Sequence, residues 1–174
     1  VVTWRAKAND DITELGEIVM TDHGNNGSTR FPTPGHGAGP TRASCVLLAE
    51  DDEEMRALLA MTLRKFGYQV IECTDGLQLM KHLALLLEAR ACSPIDLIVS
   101  DVRLPWADGM ELLGCTSDYA ERPPFVLITA FPSEAVRAEA VRLGAAFMLS
   151  KPFDMNYFLE MVRTVIPPQG RWPP

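Results

Sequence analysis

Four apolar runs in this sequence each end on a side chain of the type that metal-assisted phosphoryl transfer employs. Val46-Leu47-Leu48-Ala49 stops at Glu50-Asp51, and Leu97-Ile98-Val99-Ser100 stops at Asp101. Phe125-Val126-Leu127-Ile128 stops at Thr129, and Ala146-Phe147-Met148-Leu149-Ser150 stops at Lys151-Pro152. Read as parallel strands of one open sheet, these runs end at the edge where such sheets bind ligands. Carboxylates crowded there raise one another's pKa unless a cation sits among them. Magnesium is a hard cation that takes oxygen ligands and keeps several waters, so one or two carboxylates plus phosphoryl oxygens suffice. Asp51 and Asp101 can ligate directly, with Glu50 holding metal-bound water. A carboxylate can itself accept a phosphoryl group as an acyl phosphate. Thr129 and Lys151 are the donors available to the charge that spreads over the equatorial oxygens in such a transfer.

The elements that must position these groups are legible in the periodicity. Met55, Leu58, Leu59, Thr62, Leu63 and Phe66 follow the stripe of an amphipathic helix that Gly67 stops. Tyr68 to Cys73 alternates as a short strand, and Leu79, Met80, Leu83, Leu86 and Leu87 stripe a second helix. Pro105 and Asp108-Gly109 precede a third helix expected to end near Tyr119. Ser133 to Leu143 reads as a fourth, capped at Gly144. Met155, Phe158, Leu159, Val162, Val165 and Ile166 stripe a fifth, ended by Pro167-Pro168. Five strand–helix units with short connections predict an α/β fold. Its expected form is a doubly wound, five-stranded parallel sheet in the flavodoxin-like order 2-1-3-4-5, with five helices on both faces.

The domain is expected over residues 44–167. Residues 1–43 read as an extension and linker: Asp22 to Pro40 is dense in Gly, Pro, Asn, Ser and Thr, and a short helix at 11–20 precedes it. Residues 168–174 read as a tail. A net charge of -7 with a pI near 4.9 argues against nucleic-acid binding as the main activity. No apolar stretch approaches the roughly 20 residues of a membrane span. Cys45, Cys73, Cys92 and Cys115 form no Cys-x-x-Cys pair and read as free thiols of a cytoplasmic protein. His23, His36 and His82 are not placed for zinc or for an intrinsic kinase.

Leu-Leu-Ala-Glu-Asp-Asp-Glu-Glu-Met-Arg (47–56), Asp-Val-Arg-Leu-Pro-Trp-Ala-Asp-Gly (101–109), Leu-Ile-Thr-Ala (127–130) and Leu-Ser-Lys-Pro-Phe (149–153) together resemble the receiver domain of two-component response regulators. The likeness spans about residues 44 to 166. It implies that Asp101 is the phospho-acceptor and Glu50 and Asp51 the acidic pair. It implies further that the backbone carbonyl of Arg103 joins Glu50, Asp51 and Asp101 around magnesium, or manganese in its place. Thr129 becomes the switch hydroxyl, Lys151 the partner of the acyl phosphate, and Lys151-Pro152 a cis bond. The phosphoryl donor would be a sensor histidine kinase or a histidine phosphotransfer protein. The output would be a downstream protein partner or a further domain, with a homodimer as one form. The sequence departs from the family at Met148, where an aromatic residue is usual, and at Ala146-Phe147, which replaces an acidic pair. Arg103 and Phe131 occupy the positions two after the acceptor and two after the switch hydroxyl, which flank the approach of water to the phosphorus.

Blander readings stand beside these. A strand-terminal Asp such as Asp101 is often a helix N-cap. Asp52, Glu53 and Glu54 suit the first turn of a helix through its dipole. Thr129 taken singly is an ordinary β-branched strand residue, and Trp106 is a loop aromatic or a partner contact. Two rival functions are a pseudo-receiver that only binds, and a phosphatase of the haloacid dehalogenase type. In the latter the nucleophile ends the first strand in Asp-x-Asp, whereas here Arg103 stands two after Asp101.

Overall fold

Alternation along the strands sorts the core into two halves. Leu47, Ile98, Leu127 and Met148 pack against Leu79, Leu83, Leu112, Leu113 and Ala140 on one face of the sheet. Val46, Leu48, Val99, Val126 and Ile128 pack against Leu59, Leu63, Phe158, Leu159 and Val162 on the other. Successive strand residues point to opposite faces, so a run of apolar residues is what a strand covered on both sides requires. The computed structural model describes residues 42–89, 94–119 and 121–167. Its strands are β1 (Cys45–Ala49), β2 (Gln69–Cys73), β3 (Leu97–Asp101), β4 (Phe125–Thr129) and β5 (Phe147–Ser150). All pairings are parallel, in the order β2-β1-β3-β4-β5. The expected order and doubly wound architecture are therefore present. β1, β3 and β4 are buried at every position, while edge strand β2 leaves Gln69 and Glu72 exposed.

The helices are α1 (Glu53–Lys65), α2 (Gly76–Ala89), α3 (Gly109–Cys115), α4 (Glu134–Arg142) and α5 (Met155–Val165). Asp52, Asp108, Ser133 and Asp154 cap α1, α3, α4 and α5, each accepting a backbone N–H of the first turn. Gly67 (φ 85°) and Gly144 (φ 76°) turn the chain out of α1 and α4. Both positions lie in the left-handed region that an L side chain resists. Helix α3 is shorter than expected. The Thr116 hydroxyl donates back to the Leu113 carbonyl at 2.9 Å, and the Thr116 and Ser117 amides make tighter turn bonds to Leu113 and Gly114. The α2 stripe is also narrower than its sequence pattern. Leu79, Leu83 and Leu86 are buried, but Met80 faces solvent, as Leu58 of α1 does.

At the amino-terminal foot of the sheet, Asp96 accepts the Cys45 N–H at 2.7 Å and a two-pronged bond from Arg42 at 2.8 Å. At the same edge of the sheet, the Tyr68 hydroxyl donates to the Ile166 carbonyl at 2.8 Å and ties the end of α5 to the loop after α1. The predicted helix at 11–20, the rest of residues 1–41, Cys92 and the tail 168–174 lie outside the described residues. Among the described residues no helix is long and apolar enough to cross a membrane.

The loop from β3 to α3 is pressed onto the strand end. A Cβ on Gly109 would stand 2.2 Å from the Asp101 carbonyl oxygen and 2.6 Å from the Ser100 hydroxyl. Gly114, in the same helix, would meet only Leu143 methyls at 3.6 Å. Gly109→Ala should therefore destabilise the domain by about 1–3 kcal/mol through overpacking. Gly114→Ala should be neutral or gain up to about 1 kcal/mol from the better helix propensity of alanine. Urea unfolding of the two variants checks this, and equal midpoints would refute it.

Candidate functional site

The acidic pair rides on the turn between β1 and α1. The Glu50 N–H donates to the Cys73 carbonyl at 3.2 Å, which extends the β1–β2 ladder by one step and carries Glu50 to the sheet edge. Glu50 is 1% exposed, while Asp51 beside it faces solvent. The Arg56 guanidinium donates to the Glu50 carbonyl at 2.9 Å and the Asp51 carbonyl at 3.4 Å.

Asp101 ends β3 and is 6% exposed. The turn that follows is held by the Val102 N–H on the Ile128 carbonyl and the Gly109 N–H on the Val102 carbonyl, both 2.8 Å. One Asp101 carboxylate oxygen, Oδ1, accepts the Arg103 N–H at 2.8 Å. Asp101 does not cap α3, a task that falls to Asp108.

Lys151 follows β5, with its N–H on the Thr129 carbonyl at 2.7 Å and a cis peptide bond to Pro152. Its ammonium reaches both oxygens of Glu50, at 2.8 and 2.7 Å, and Asp101 Oδ2 at 2.5 Å. Burial lifts the pKa of Glu50, and the Lys151 hydrogen bonds only partly reverse this. Desolvation also works against the Lys151 ammonium, but its bonds to Asp101 and Glu50 outweigh it and hold the lysine above its usual value. Glu50, Asp51 and Asp101 offer oxygens that lie within 4.8 Å of one another. Clustered carboxylates, one of them open to solvent, form the hard-oxygen donor set that suits a hydrated divalent cation.

Thr129 is 1% exposed at the end of β4, and its Oγ accepts the Phe131 N–H at 3.1 Å. Met148 lies opposite Leu127 in the β4–β5 register and is buried in the core on the α2, α3 and α4 side. Arg103 and Phe131 meet: the guanidinium carbon sits 4.2 Å from the ring centroid, joining the loops after β3 and β4. Trp106, in the loop after β3, is 87% exposed and has φ 72°, an uncommon conformation for a bulky residue.

Glu50, Asp51, Asp101 and Lys151, expected from different strand ends, thus stand together, with Thr129 on the neighbouring strand. The contact between Arg103 and Phe131 was not foreseen, since separate roles at two distant positions give no sign that the side chains touch. Arg56 was likewise missed as part of the site. Its sequence signals are its place at the end of the 47–56 block and its being a cation in the first turn of α1, where the helix dipole disfavours one.

An open parallel sheet in this order, with acidic, hydroxyl and ammonium groups at its carboxyl edge, defines the class of doubly wound α/β domains that bind at a strand-order switch point. Within that class the chain belongs to the response regulator receiver domain family, whose model matches residues 46–163. It is 35% identical over 120 residues to the response regulator protein FleR of Pseudomonas aeruginosa, covering 69% of this chain and 24% of that one. The chain thus spans about a quarter of FleR. It is 29% identical over 122 residues to sporulation initiation phosphotransferase F of Bacillus subtilis, covering 70% of this chain and 93% of the relative. Among solved structures, the non-phosphorylated HemR receiver domain from Leptospira biflexa matches with a TM-score of 0.60 and 29% identity, over 75% of this chain and 98% of that one. The chain is a two-component signalling domain, and accepting a phosphoryl group is the general function of its family.

Removing the cation from this cluster has a signed consequence. With Lys151→Met, Glu50 keeps its proton in the native state over a pH range where the unfolded chain has released it. Stability then falls as pH rises through and above the carboxylate range. In chelator, the variant should lose about 3 kcal/mol at pH 8, as expected for a broken buried pair, and clearly less at pH 5. Urea unfolding at the two pH values tests this; equal losses would show that Lys151 acts through packing alone.

Proposed function

We propose that the chain takes a phosphoryl group from a phosphohistidine of a sensor kinase or a histidine phosphotransfer protein onto Asp101, with magnesium, and so alters a surface that binds a downstream protein. The observation that carries this reading is the Lys151 ammonium shared between Glu50 and Asp101, beside an exposed Asp51. The carboxylate of Asp101 attacks phosphorus as the bond to the donor imidazole breaks. Its Oδ1 is held by the Arg103 N–H, and Oδ2 lies on Lys151. Such a pinned carboxylate loses little freedom on reaching an in-line geometry.

A divalent ion held by Glu50, Asp51, Asp101 and the Arg103 carbonyl would offset the charge of the phosphoryl oxygens. Lys151 stabilises the same charge and remains as partner to the product. The Thr129 hydroxyl uses its oxygen as acceptor for Phe131, so its proton is free to be directed at a phosphoryl oxygen. With Met148 in place of the family's usual aromatic, a movement of Thr129 toward that group would be passed to the α4–β5–α5 face with less of a two-state preference, because a flexible thioether adapts its packing. The unit transfers and loses its own phosphoryl group and turns over no separate substrate. Residues 44–167 would form this unit in the cytoplasm, as a monomer or homodimer, with residues 1–43 and 168–174 outside it.

Incubated with magnesium and acetyl phosphate, the chain should gain one hydroxylamine-labile phosphoryl group, measured by intact mass. Asp101→Asn should abolish the gain and Asp51→Ala should weaken metal binding. Label that persists in Asp101→Asn and maps to a serine or threonine would sink the assignment.

The contact between Arg103 and Phe131 bears on the lifetime of the product. The ring cannot orient water, and the guanidinium lies on the ring, so together they shield the approach to phosphorus. Slow self-dephosphorylation is expected. Replacing Phe131 with Glu and Arg103 with Asn together should speed it about tenfold, roughly 1.4 kcal/mol off the barrier. Loss within seconds from the unaltered chain, or an unchanged rate in the double variant, would refute the shielding.

A further inference from the structure

Arg56 sits in the first turn of α1, a poor place for a cation because the helix N-terminus already carries partial positive charge. Its side chain is only 14% exposed. Helical side chains tilt toward the N-terminus, which sends this one back over the turn that carries the acidic pair. There it donates to the Glu50 carbonyl at 2.9 Å and to the Asp51 carbonyl at 3.4 Å. Glu72 of β2 faces it from the other side at 3.6 Å, and also pairs with Arg64 at 2.8 Å. The contact to Glu72 is the longest of the three, so the ion pair alone does not account for the placement. Glu50 is consequently fixed at both ends of its backbone, by the Cys73 carbonyl at its N–H and by Arg56 at its carbonyl.

We infer that Arg56 is a positioning residue for the metal-binding acidic pair: it clamps the backbone of Glu50 and Asp51 so that both carboxylates converge with Asp101, and Glu72 orients it and balances its charge. The inference rests on the metal-binding reading of the Glu50, Asp51 and Asp101 cluster. It makes a prediction opposite in sign to simple electrostatics. Removing a cation next to a metal site would tighten metal binding if charge alone mattered, whereas losing a clamp loosens it.

The test is Mn2+ titration of the full chain, followed by the electron paramagnetic resonance signal of the free ion, with Mg2+ competition. Arg56→Met should raise the Mn2+ Kd about tenfold, in the range seen when groups supporting metal ligands are removed. Arg56→Lys, which keeps the charge and can reach one carbonyl, should recover part of that loss. Glu72→Gln, at an exposed strand position, should weaken binding in the same direction but less. Metal-free thermal unfolding establishes that each variant is folded. Unchanged or tighter binding in Arg56→Met overturns the inference. If that variant does not fold, unchanged binding in both Arg56→Lys and Glu72→Gln overturns it instead. An unaltered chain that binds no Mn2+ at millimolar concentration would strike at the metal-binding reading itself, and is distinguishable from these outcomes.

Discussion

Two carboxylates cannot both stay ionised side by side out of water without a cation between them, and much of this domain's architecture answers that requirement. Glu50 is almost wholly buried and Asp101 nearly so, and the Lys151 ammonium touches both. Desolvating three charged groups is unfavourable, and an excellent geometry offsets it only in part. The residual imbalance is useful. Glu50, Asp51 and Asp101 outnumber the one ammonium, and Asp51 is open to solvent, so the cluster has the charge and the access to take a further cation.

The sheet supplies the precision. Strands β1, β3 and β4 are buried throughout, so their ends shift little relative to one another. Capping also frees the chemical groups from structural duty. Asp52 and Asp108 serve the helix termini, which leaves Glu50, Asp51 and Asp101 to face the cluster. An aspartate that both caps a helix and accepts a phosphoryl group would couple chemistry to helix stability. Asp101, the proposed acceptor, carries no cap, because Asp108 supplies it.

Most of this was readable from residue types because the signals are local and periodic. A strand buried on both faces must be an apolar run, and the chemical side chain stands at its end, one residue past a serine in the case of Asp101 and Lys151. That rule located Glu50, Asp101, Thr129 and Lys151. Helix edges were read less well where competing local bonds decide the outcome, as at Thr116, which ends α3 before Tyr119. The α2 pattern overstated burial, since leucine and methionine recur on nearly every face of that helix and only packing selects among them. The Arg103–Phe131 contact and the Arg56 clamp were invisible for another reason. Each depends on where a long side chain turns after the backbone is placed, and spacing carries no record of that.

The ammonium arrives late. Lys151 lies 101 residues after Glu50 and 50 after Asp101 in the chain, just past the last strand of this sheet. During synthesis, β1 and β3 emerge carrying acids whose counter-charge has not yet been made. Contacts of such long sequence separation form slowly, because the intervening loop must close first. A nascent or truncated chain therefore cannot bury this acidic edge and has no lysine to complete the site. The same wiring makes the cluster a readout of the whole sheet: should β5 and α5 detach for a moment, the ammonium is withdrawn from Glu50 and Asp101 even though neither acid has moved.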